Sequence, residues 1–84
     1  MDPRRAGDSF AGTADSAGDY RIAHGLSFTP DTAVVTPAGG NINFQIAQIM
    51  SIDATNIRVR CRNAGGTALA NQLVSGYWMA VTTL

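Results

Sequence analysis

From Asp19 onward the chain alternates apolar and polar residues with a period of two, the pattern of strands half-buried on a sheet. Tyr20 and Ile22 alternate with Arg21 and Ala23, and the run stops at His24-Gly25. Leu26 to Asp31 reads as a bend, because Pro30 has a fixed φ and disfavours helix at the residue before it. Thr32-Ala33-Val34-Val35-Thr36 is β-branched and apolar enough for a buried strand, closed by Pro37-Ala38-Gly39-Gly40. Residues 41 to 52 fit two templates: Ile42, Phe44 and Ile46 alternate as a strand does, whereas Ile46, Ile49 and Met50 also form a helical stripe. One strand with an irregular centre is the expectation. After a turn at Asp53-Ala54-Thr55-Asn56, Ile57, Val59 and Cys61 alternate strictly with Arg58, Arg60 and Arg62, the clearest half-buried strand in the chain. Asn63-Ala64-Gly65-Gly66-Thr67 then forms a loop leading to the last strand.

That last strand, Gln72 to Thr83, has no polar face. Leu73, Ser75, Tyr77, Met79 and Val81 point one way, and Val74, Gly76, Trp78, Ala80 and Thr82 the other. A domain of 84 residues buries only about 60 to 65% of its unfolded surface and cannot cover both sides of such a strand alone. A core on one side and a partner subunit on the other are therefore expected, with Tyr77, Trp78 and Met79 at the oligomer interface.

Residues 1 to 18 contain only Phe10 as a large apolar group. Such a segment has too little to bury to fold by itself. It is expected to be an extended N-terminal arm on a neighbouring subunit or larger assembly, anchored by Phe10, ahead of a β-domain over residues 19 to 84.

Composition narrows the class. One cysteine, Cys61, and one histidine, His24, allow neither an intrachain disulfide nor a Cys/His zinc site, which leaves oligomerisation as the common way to stabilise so small a domain. Six Asp balance six Arg with no Lys or Glu, arguing against a general nucleic-acid binder and removing favoured helix formers. No apolar run approaches the ~20 residues of a membrane span, and Met1 to Asp8 lacks the hydrophobic segment of a signal peptide. A soluble chain made in a cytoplasm, with no membrane partner, is expected.

Three segments together, Tyr20-Arg21-Ile22-Ala23-His24-Gly25-Leu26-Ser27-Phe28-Thr29-Pro30, Ser51-Ile52-Asp53-Ala54-Thr55-Asn56-Ile57-Arg58-Val59 and Val74-Ser75-Gly76-Tyr77-Trp78-Met79-Ala80-Val81, resemble a small β-sandwich module of tailed-phage virions. The likeness covers about residues 19 to 82 and extends to capsid decoration proteins and tail-fibre tips. It implies an all-β, compact antiparallel β-sandwich, trimeric around a threefold axis. The implied function is a homotrimeric capsid decoration protein in the virion, binding the major capsid protein or another virion protein. The alternative is a tail-fibre or spike tip that recognises a host-surface glycan, and a third reading is an unrelated lectin-like oligomer. The absence of a long shaft ahead of the module favours decoration over a fibre.

Candidate chemistry is sparse. Arg58, Arg60 and Arg62 form a stripe roughly 14 Å long on one strand face, either solvated and balanced by nearby Asp or clamping carboxylates or phosphates of a partner. Arg4, Arg5 and Phe10 join them as expected contacts to the capsid or another partner. His24 at a strand end reads as a turn or interface hydrogen-bonding group, since no nucleophile motif accompanies it. Trp78 and Tyr77 have the rings to stack on a sugar, but an apolar strand makes packing the better use. Gly39-Gly40 and Gly65-Gly66 lack the Lys-Ser or Lys-Thr of a phosphate loop. No enzyme activity and no cofactor are expected.

Overall fold

The computed structural model describes residues 5 to 82. It is all-β, with six strands: β1 (Arg5–Thr13), β2 (Asp19–Ala23), β3 (Thr32–Pro37), β4 (Ile46–Ile52), β5 (Asn56–Arg62) and β6 (Leu73–Val81). They form two three-stranded antiparallel sheets, ordered β1-β6-β3 and β2-β5-β4. Both sheets contribute to one core. Ile22, Ile57, Val59 and Cys61 from one meet Phe10, Val74, Trp78 and Ala80 from the other, with Phe44 and Leu69 closing in from loops.

The segment expected as an arm is, from Arg5 to Thr13, an edge strand of the chain's own sheet, paired with β6 along its whole length. Its one large apolar residue, Phe10, is in the core and stacks on Tyr20 at 5.4 Å between ring centroids. Small residues make this docking possible. A Cβ at Gly12 would strike the Tyr20 ring, and one at Gly76, opposite Phe10, would run into the Thr36 carbonyl.

In residues 41 to 52 the strand occupies only the second half. Asn41 ties the first half into a turn, its side-chain oxygen accepting from Asn43 N–H and its carbonyl from Phe44 N–H. The irregular centre is a register shift between Ile49 and Ser51, a bulge that gives Met50 to the solvent. Strand β3 is half-buried, not buried on both sides: Ala33 and Val35 pack on the core while Thr32, Val34 and Thr36 face out.

Candidate functional site

The outer face of β1-β6-β3 is built by parity. On β6 the core takes Val74, Trp78 and Ala80, which leaves Leu73, Ser75, Tyr77, Met79 and Val81 outward, and Tyr77 is 62% exposed. On β3 the outward residue opposite Met79 is Val34, also exposed. On β1 the outward positions opposite Met79, Tyr77 and Ser75 are Gly7, Ser9 and Ala11. Among the described residues this face carries one charged side chain, Arg5, at its end. The expected interface set is therefore split. Tyr77 and Met79 are on the surface, whereas Trp78 is 9% exposed and belongs to the core. Leu73 and Val34 join the surface set; alternation pointed to Leu73, but the apolar run around Val34 hid which side would be wet.

The free edge of β1 is partly covered. Ser9 N–H donates to the Asp8 carboxylate at 2.8 Å, and the Tyr20 hydroxyl donates to the Ala11 carbonyl at 3.2 Å. Both groups would otherwise be open to a further strand.

The outer face of β2-β5-β4 is mostly polar, and at the start of its edge strand β2 stands Asp19, whose side chain is 1% exposed. Arg58 Nε reaches Asp19 Oδ2 at 2.7 Å, and Arg60 meets the same carboxylate at 2.7 Å through Nε and 3.2 Å through Nη2. Register explains the meeting, since Asp19 pairs with Arg60 across β2 and β5. Arg62 instead donates to Gln48 Oε1 at 3.0 Å and to the Gly66 carbonyl at 2.8 Å. The stripe is thus an internally bonded row, and Arg58 keeps part of its guanidinium in solvent. Arg21, directly opposite Arg58, is exposed on the same face.

Hydrogen bonds from Arg60, then Arg58, hold the Asp19 carboxyl below its ordinary value of 3.8, against the opposing effect of burial. A depressed carboxyl stabilises the fold above its unfolded value and loses that contribution as pH falls below it. Asp15, bonded by Asp19 and Ala17 N–H, and Asp53, bonded by Asn56 and Thr55 N–H, shift in the same direction. Stability is expected to drop once pH falls below about 3.8. In an Asp19→Asn variant the melting temperature at neutral pH is expected to be lower, and its gap from wild type to narrow in acid. A gap that stays constant across thermal melts from about pH 7 to about pH 2 would rule out this role for Asp19.

His24 is buried and fully engaged. Its Nδ1 accepts from Leu26 N–H at 3.0 Å, which makes Nε2 the protonated nitrogen donating to the Asp53 carbonyl at 2.9 Å. It pins the end of β2 to the β4–β5 turn. Cys61 is buried, and burial pushes its thiol up to about 11. Phe10 is a core residue and is not available to a partner, Arg5 is exposed at the start of β1, and Arg4 lies outside the described residues. No group of three or more metal-ligating side chains occurs among the described residues. Among the described residues no helix is long and apolar enough to cross a membrane.

No family model, curated protein or solved structure matches this chain. Function has to be read from the two faces themselves.

Proposed function

We propose that this protein is a structural assembly module: a β-sandwich that forms a homotrimer through the outer face of β1-β6-β3 and decorates a phage capsid. The observation that carries the self-association is that face, where Val34, Tyr77 and Met79 stand in solvent on neighbouring positions and Leu73 is exposed further along β6, beyond Ser75. Exposed large apolar residues grouped in this way mark an interaction site. The virion part of the reading comes from the resemblance of residues 19 to 82 to such modules. The opposite sheet face is then the side offered to acidic groups of the shell, through the exposed Arg21 and the part of the Arg58 guanidinium that stays in solvent.

Light scattering on the purified protein is expected to give three times the chain mass, and a monodisperse monomer at micromolar concentration would overturn the reading. Tyr77→Asp places a charge on the face without touching the core, so it is expected to yield a folded monomer. Attachment to purified capsids at fixed salt is expected to weaken with Arg21→Ala, which leaves the Asp19 pairing with Arg60 intact. Undiminished binding of alanine variants at Arg21 and Arg58 would remove this face from the contact.

The exposed Tyr77 ring also favours the second reading, a fibre-tip module stacking on a host glycan. The two compete for one residue. Glycan binding by the assembled protein that is lost in Tyr77→Ala would favour the fibre tip, because a ring buried between copies has no face left for a sugar.

A further inference from the structure

Cys61 N–H donates to the Gly18 carbonyl and His24 N–H to the Thr55 carbonyl, so along β2 the hydrogen-bonded pairs with β5 fall on Tyr20 and Ile22. Asp19, Arg21 and Ala23 occupy the alternate pairs, and their own N–H and C=O groups point away from β5, toward the free edge of the sheet. Asp15 takes up both groups of Asp19: its side chain accepts from Asp19 N–H, and its own N–H donates to the Asp19 carbonyl. The edge groups of Arg21 and Ala23 have no partner among the described residues. The other edges are less open. Strands β3 and β4 lie against each other, β4 carries the bulge between Ile49 and Ser51, and on β1 Ser9 N–H and the Ala11 carbonyl are bonded by Asp8 and Tyr20.

Side chains on both sides of the β2 edge specify what fits there. Toward the core, the edge borders a depression of about 420 Å³ between the sheets, lined by Phe10, Tyr20, Ile22 and Trp78, with Asp8 on its β1 rim. On the outer face Arg21 stands directly opposite Arg58 in a non-hydrogen-bonded pair, where side chains are closest and like charges repel. The neighbouring row is balanced, because Asp19 stands there beside Arg60. Arg21 ends its row with no hydrogen bond or ion pair among the described residues. We propose that the free edge of β2 accepts an extended segment of a partner protein as an added strand, with an aspartate or glutamate beside Arg21 and an adjacent apolar residue turned into the depression. Added antiparallel, the acidic residue bonds both backbone groups of Arg21, and the residue two positions before it bonds those of Ala23. This fixes how the acidic group of the contact face is carried, and it rests on the reading above for the partner being a protein. The charge favours such a segment over a polyanion. Arg60 is held by Asp19, and Arg62 by Gln48 and the Gly66 carbonyl, so no run of free guanidinium groups is left to follow a chain of phosphates.

The probe is an end-blocked synthetic peptide, Thr-Val-Glu-Val-Thr, titrated into the isotope-labelled full chain and followed by amide NMR and hydrogen exchange. Binding is expected to shift the Arg21 and Ala23 amides and to slow their exchange. N-methylation of the glutamate keeps its charge and removes the N–H that bonds the edge, and is expected to weaken binding about ten-fold or more. A peptide with lysine in place of the glutamate, and the protein variant Arg21→Gln, are each expected to weaken binding by a similar factor. Arg21 is exposed, so the variant is expected to keep the wild-type spectrum away from the edge. No binding of the peptide, or equal binding of its N-methylated form, would overturn the strand addition. Tighter, Arg21-dependent binding of a single-stranded oligonucleotide would overturn the class of partner. Capsid attachment of Arg21→Ala decides separately whether this face meets the shell: if attachment weakens while the peptide does not bind, the face contact stands and the added strand falls.

Discussion

Deleting residues 1 to 18 is expected to abolish the folded state, not to release a folded domain from its tether. Strand β1 supplies nine of the paired positions along β6, and without it β6 becomes an edge with unpaired backbone donors and acceptors facing solvent. Phe10 leaves the core at the same time, and loss of one buried phenylalanine side chain alone costs about 3 to 5 kcal/mol. The turn after β1 goes too. Ala14 N–H donates to the Gln72 carbonyl, Asn71 N–H to the Asp15 carbonyl and Cys61 N–H to the Gly18 carbonyl, three bonds that tie the segment to β5 and the approach to β6. Against a whole-domain stability of roughly 5 to 15 kcal/mol, these losses together exceed what a small domain can absorb. The truncated chain should show no cooperative thermal transition and no near-ultraviolet circular dichroism of fixed aromatic rings. A sharp melt close to that of the full chain would show that β1 is dispensable and restore the tether as its role.

Trp78→Ala is the second large effect. Trp78 lies on the core side of β6, level with Asp8 on β1 and Val35 on β3, and packs in the same cluster as Ile22 and Ile57 of the opposite sheet. Removing so large a buried ring leaves a cavity that the flanking Gly76 and Ala80 are too small to fill, at a cost of about 3 to 5 kcal/mol. Chemical denaturation should show the midpoint shifting strongly to lower denaturant. Tyr77→Ala, one residue away but on the outer face, should leave the stability of the isolated chain within about 0.5 kcal/mol. Equal losses for the two variants would mean that the faces of β6 are not divided as the structure divides them.

The two predictions touch the places where sequence reasoning went furthest and where it stopped. Strict alternation from Ile57 to Arg62 placed Ile57, Val59 and Cys61 inside and the arginines outside, and the structure has them there. Alternation along β6 separated Tyr77 and Met79 from Trp78, yet grouping all three at an interface overlooked that a strand shows only one face to any partner. The arginine stripe was visible, but its capture by Asp19 was not, because the carboxylate lies 39 residues before Arg58 and only strand pairing brings them together.

What the sequence determined by itself is the all-β class and the division of each strong strand into two faces. Side chains alternate across a pleated backbone whatever else the chain does, so period-two runs such as Tyr20 to Ile22, Ile57 to Arg62 and Leu73 to Val81 carry that information locally. Only the tertiary structure decided which face of β6 turns inward and that residues 5 to 13 form a strand at all. The inward face is the one where Gly76 and Ala80 flank Trp78 with small side chains, letting the ring settle while Phe10 and the Thr36 carbonyl crowd in at Gly76. Strand β1, rich in glycine, alanine and serine, has too little apolar surface to signal itself. It becomes a strand because β6 offers a full ladder of hydrogen bonds and the core offers a place for Phe10, and both of those partners come from sequence 60 to 76 residues away for β6 and from across the sheets for Tyr20.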